Sequence, residues 1–137
     1  MKEKKDKIRV VLGKVGLDTH DRGMYVLSQL FRDAGIEVIF LGRFQTAEKI
    51  VKTALEEDVD FIALSDHAGV MLEIAKDVIN AAKKLNAEDI PIVAGGFIPE
   101  DDIPLLEKMG VTGNFGAYTP DEEIIDHIQK ITNKTIS

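Results

Sequence analysis

Five apolar runs rich in β-branched residues punctuate this chain, and a segment of helical period follows each of them. That alternation is the pattern of an α/β fold on a parallel sheet. Ile8–Leu12, Ile36–Leu41, Phe61–Leu64, Ile90–Ala94 and Gly113–Phe115 read as the strands, Pro91 being tolerated near the start of the fourth. Gly23–Ala34 sets Met24, Leu27, Leu30 and Phe31 on one helical face, and Gly35 closes it. Thr46 reads as the N-cap of Ala47–Glu57, with Ile50, Val51, Ala54 and Leu55 as the buried stripe. Val70–Leu85 turns Leu72, Ala75, Val78, Ile79 and Ala82 inward. Glu100–Met109 and Pro120–Ile131 complete the set, the last with proline in its first turn.

Strands joined by short helical crossovers imply a five-stranded parallel sheet covered on both faces, in the order 2-1-3-4-5. The expected architecture is a single three-layer, flavodoxin-like (Rossmann-like) domain over residues 1–137, with its core at about 7–131. The chain's 137 residues, 45% hydrophobic and 30% charged, suffice for one full-sized core. Its net charge of −7 offers no footprint for a phosphate backbone and repels an anionic membrane, so neither nucleic acid nor membrane is an expected partner. With no cysteine, disulfides, thiolate metal sites and a cysteine nucleophile are excluded. The opening MKEKKDK has the basic character of a signal n-region, but IRVVLG is too short to be the apolar part that should follow. No apolar run approaches the roughly 20 residues of a membrane helix. The expected location is cytoplasmic.

In sheets of this order, ligands bind at the carboxyl ends of the strands, beside the switch point between strands one and three. Two strand exits are conspicuously polar. Strand one runs into KVGLDTHDRG (residues 14–23), and strand three into Ser65, Asp66, His67, Ala68 and Gly69. Strand four ends in Gly95-Gly96, and Gly116 follows strand five. Such exits suit a bulky ligand, coordinated at one end and inserted between strands at the other. Taken alone, the first motif fits a solvated loop and helix cap. A protein-only metal site would need three or four ligands, with His67, Asp21 and Asp66 joining His20. A metal already held in a macrocycle needs only one axial ligand, and a single histidine suffices.

Asp18-Thr19-His20-Asp21-Arg22-Gly23 matches the D-x-H-x-x-G signature of cobalamin-binding domains. The wider string resembles the form found in the methylmalonyl-CoA mutase family. The match continues with Ser65 at the end of strand three, Gly95-Gly96 after strand four, and Phe115-Gly116 with Thr119 after strand five. The resemblance implies cobalamin bound with its own base displaced and His20 as axial ligand to the cobalt. It further implies that Asp18 holds the far imidazole nitrogen, Lys14 extends that chain of hydrogen bonds, and Gly23 lets the first helix start close to the corrin. Asp21, Arg22, Phe115, Gly116 and Thr119 are implied as further cofactor-binding residues. Ser65 would bond the displaced nucleotide tail, and Gly95 and Gly96 would leave room for it. Three positions depart from the family's usual pattern. Thr19 stands for a glycine, Asp66-His67 follow Ser65 where x-Leu is usual, and Ala117-Tyr118 replace Pro-Gly.

What this implies for function is the cobalamin-binding small subunit of an adenosylcobalamin-dependent acyl-CoA mutase. Its expected partner is a large TIM-barrel subunit that binds the acyl-CoA, since such a barrel takes about 250 residues. No catalytic residue is expected on this chain, and alone it should catalyse nothing. A corrinoid carrier for methyl transfer would share the signature, although such carriers usually have an N-terminal helical cap. A phospho-acceptor receiver domain shares the topology but is excluded. Asp66 lies one residue late for the acceptor, no acidic pair abuts Leu12, and Gly116-Ala117 occupy the required lysine's place.

Overall fold

In the computed structural model, which describes residues 7–17, 20, 22–116 and 118–136, five parallel strands form one sheet in the order β2-β1-β3-β4-β5. The strands are β1 (Arg9–Val15), β2 (Glu37–Gln45), β3 (Phe61–Asp66), β4 (Ile92–Gly96) and β5 (Val111–Phe115). The helices are α1 (Arg22–Asp33), α2 (Ala47–Glu56), α3 (Met71–Lys84), α4 (Ile103–Met109) and α5 (Asp121–Thr132). The order and number of elements are those expected from the alternation of periods. No helix among the described residues is long and apolar enough to cross a membrane.

Side chains alternate across a strand, so each strand feeds two cores. Val10 and Leu12 of β1, Phe61 and Ala63 of β3 and Val93 of β4 pack with Met24 and Phe31 of α1 and Ile124 and Ile128 of α5. Val11, Ile62, Leu64, Ile92 and Ala94 face the other way, onto Ile50, Val51 and Ala54 of α2, Ile74, Ala75 and Val78 of α3 and Leu106 of α4. Three layers result, with two helices on one face and three on the other.

The boundaries differ from the expected ones where polar residues stay in the sheet. β1 runs on through Gly13, Lys14 and Val15, β2 through Gly42–Gln45, and β3 through Ser65 and Asp66. Gly16 N donates to Gln45 O at 3.0 Å, so the β1–β2 edge stays joined beyond the apolar run. β4 begins at Ile92 rather than Ile90, because Ile90 N closes a turn onto Ala87 O and Pro91 has no N–H to give the ladder. The first part of the expected fourth helix is a 3₁₀ turn, Glu100–Asp102, and the α-helix proper starts beside Pro104. Leu55, expected in the α2 stripe, is 43% exposed. The Thr46 cap is as expected, its hydroxyl accepting from Lys49 N at 3.1 Å.

A candidate cofactor cleft

Above the core between α1, α5 and the sheet, packing stops and a cleft of about 630 Å³ opens at the carboxyl ends of β3, β4 and β5. Its depth is apolar, walled by Leu27, Leu30 and Phe31 of α1, Val93 of β4 and Ile124 of α5. Its mouth is polar, with His20, Arg22, Ser65, His67, Thr119 and Asp121. An apolar recess with a few placed polar groups is what a small-molecule or cofactor site requires. The sequence periodicity assigns Leu27 and Leu30 to the core. Both are half-buried, because the surface they face is the cleft and not another side chain. A readable signal lay opposite them. The same row of β3 carries Phe61, then Ala63, then Ser65, so its side chains shrink toward the mouth.

The described residues of the expected site converge here. His20, Arg22, Gly23, Ser65, Gly95, Gly96, Phe115, Gly116 and Thr119 all line the cleft. Asp18 and Asp21, with the departures at Thr19 and Ala117, lie outside the described residues. Lys14 lies beside the mouth, wholly buried on β1 rather than solvated. Its Nζ is 3.4 Å from Ser65 Oγ and 3.4 Å from His67 Nδ1. His20 is exposed at the rim, its ring centroid 6.1 Å from that of His67.

The glycines divide by what they admit. A Cβ at Gly95 would make only an ordinary 3.5 Å contact with Phe115 O, so the protein itself leaves that position free to carry a side chain. The space it preserves is cleft. Gly96 is different, with φ +113° and a Cβ position that would collide with the Asp66 carbonyl oxygen. Its glycine is required by the backbone, not by room for a ligand. Gly23 admits the ring of His67, whose Cε1 would lie 2.7 Å from an added Cβ. The close approach at the start of α1 is therefore to this chain's own imidazole.

A protein-only metal centre finds no support in the geometry. Asp66 faces away from the cleft, fully buried, and its Oδ2 accepts from Val70 N at 2.9 Å. Among the described residues, no group of three or more potential ligands comes together. One exposed histidine over a deep apolar slot remains, which fits a metal delivered in a macrocycle with a long tail. On the far wall Phe115 is backed by His127 of α5, with ring centroids 5.5 Å apart and edge-on. Burial, with the nearby Lys130 charge, lowers the pKa of His127 from its ordinary 6.5, against an opposing effect of its hydrogen bond to Thr112.

The model of the B12 binding domain family matches residues 8–125. The chain belongs to that family. It is 40% identical to the 2-hydroxyisobutanoyl-CoA mutase small subunit of Aquincola tertiaricarbonis, over 90% of this chain and 91% of the relative. It is 37% identical to the pivalyl-CoA mutase small subunit of Xanthobacter autotrophicus, over 93% of this chain and 86% of the relative. In fold it resembles a cobalamin-binding protein of Desulfitobacterium hafniense at a TM-score of 0.77 and 20% identity, covering 93% of this chain and 60% of that one. The B12-binding domain thus presents its cleft at the strand ends where its sequence motifs fall.

Proposed function

We propose that this B12-binding domain is the small subunit of an adenosylcobalamin-dependent acyl-CoA mutase, holding the cofactor for a rearrangement on a separate large subunit. The observation that carries the reading is the slot left open beside Gly95, with His20 exposed at its rim. An aromatic base buried in a protein needs bare backbone on its walls, because any side chain would take its volume. His20 would be the axial ligand, and Asp18 would fix its tautomer as carboxylates do for metal-bound imidazoles. Ser65 would bond the tail, Phe115, Gly116 and Thr119 would line its exit, and Arg22 and Asp21 would flank the loop under the corrin. Bound adenosylcobalamin would supply a cobalt–carbon bond that breaks homolytically to start the hydrogen abstraction. This chain's residues position and shield, and none is proposed to touch the acyl-CoA.

The two small-subunit relatives, matched along nearly their whole length, support a partner large subunit. That partner would carry the acyl-CoA site in a TIM barrel and close over the exposed face of the cofactor. The same relatives favour a mutase over the methyl-carrier alternative. The test is EPR of cob(II)alamin bound to protein with 15N-labelled histidine. The isotope should change the superhyperfine splitting in the wild type, and the change should vanish in His20→Ala. A splitting indifferent to the label would refute axial ligation by this chain.

A further inference from the structure

We propose that Gln45 is a positioning residue for the axial histidine, bracing a kink at the end of β2 from which the His20 loop is hung. This rests on the cobalamin reading above and adds to it the device that fixes where the loop begins. Toward their carboxyl ends β1 and β2 fall out of step. Leu12 pairs with Phe40 and Val15 with Gln45, so β2 spends two more residues than β1 on the same stretch. The surplus is taken up at Gly42, with φ +83°, and at Phe44, with φ +63°. Glycine takes the left-handed region freely. A bulky aromatic there is a strained outlier, which persists only where its surroundings impose it.

The imposing group is the Gln45 side chain. Its Nε2 donates to Leu41 O and to Arg43 O, each at 3.0 Å, tying together both sides of the kink. Its stem lies against β1, with Cγ 3.6 Å from where a Cβ on Gly13 would stand. The Gln45 backbone oxygen then accepts from Gly16 N at 3.0 Å. Only residues 17–19 separate that anchor from His20, and α1 begins at Arg22. The loop is thus fixed at its entry by β2 and at its exit by α1. A loop already held in place loses less freedom when its imidazole takes a metal. Gln45 therefore acts on the strength of axial coordination and not on the seat of the tail.

The experiment is EPR of cob(II)alamin bound to the full chain with 15N-labelled histidine, titrated with unlabelled imidazole. Free imidazole competes for the axial position, and the half-point is reached when half of the 15N splitting has given way to 14N splitting. Gln45→Met keeps the length of the stem and loses both hydrogen bonds. Its half-point should fall about fivefold, the worth of one net hydrogen bond. Phe44 is 52% exposed, and asparagine accepts the left-handed region. Phe44→Asn added to Gln45→Met should therefore restore most of the loss. Val51→Ala, a core truncation in α2, should lower urea stability and leave the half-point where it was. An unshifted half-point in Gln45→Met, a double variant no better than the single, or an equal shift in Val51→Ala overturns the proposal while axial ligation stands. Should Gln45→Met not fold, Gln45→Asn, whose amide is too short to span both carbonyls, is held to the same shift. A wild type with no 15N splitting overturns the functional reading and this inference together.

Discussion

Gly95 and Gly96 stand side by side in β4 for different reasons, although the sequence motif reads them as one pair making room for a ligand. Parity separates them. Gly95 shares the cleft face with Ser65, and the next residue turns its missing side chain toward the Asp66 backbone. Gly95→Val should fold with stability close to wild type, since a β-branched residue suits a strand. It should nonetheless lose cobalamin affinity by more than tenfold, measured by equilibrium titration. Gly96→Ala should show the reverse weighting. It should lower the denaturation free energy by about 3 kcal/mol through its positive φ and the backbone collision. At this scale, the cleft residues were legible through their match to the family's motifs. Sequence reading missed Lys14's burial and the seat of His67 on Gly23, because both are cross-strand facts that a single segment cannot reveal.

Elements were legible where apolar period alone decides them, and less so at their polar ends. The apolar runs of β1 and β3 stop at Leu12 and Leu64, yet the ladder continues through Lys14 and Asp66, whose Nζ and Oδ2 find partners inside. Apolarity marks the buried middle of a strand, whereas hydrogen bonding sets its length. The contact of α5 with β5 gives this scale its own test. His127 packs on Phe115, bonds Thr112 Oγ1 at 3.1 Å, and fills the space beside Gly113. Because its folded pKa lies below 6.5, the unfolded chain binds the proton more readily in that window. Stability from neutral His127 is complete above about 6.5 and declines as pH falls from there through the folded value. Urea melts across this range should show wild type losing stability relative to His127→Gln on acidification, with a constant offset above it.

Across the whole molecule, the two ends of the sheet differ in kind. The amino ends of the strands are tied by surface charges, with Arg9 bridging Glu37 and Glu57, and Lys134 meeting Asp60 at 2.9 Å. The carboxyl ends carry exposed apolar side chains, namely Leu17, Phe44, Phe97 and Tyr118, the last 98% exposed. Exposed apolar side chains at the same end of the sheet as the cleft fit a surface that a partner covers. Tyr118→Asp should therefore leave stability within about 0.5 kcal/mol of wild type, as surface changes do. Co-purification with a large mutase subunit, by contrast, should drop severalfold. The topology was readable from the chain because period and strand exits agree on one arrangement. The apolar rim was not, since its members are scattered singly among loops.

The orientation of Asp66 carries one more consequence. This sheet order is shared with signalling modules that are switched when an aspartate after the third strand takes a phosphoryl group. Here the nearest carboxylate has no solvent access and spends one oxygen on Val70 N, at the start of α3. A small-molecule phosphodonor such as acetyl phosphate cannot approach it in line. With its aspartate shut away, the shared sheet order is left with a cleft and no acceptor.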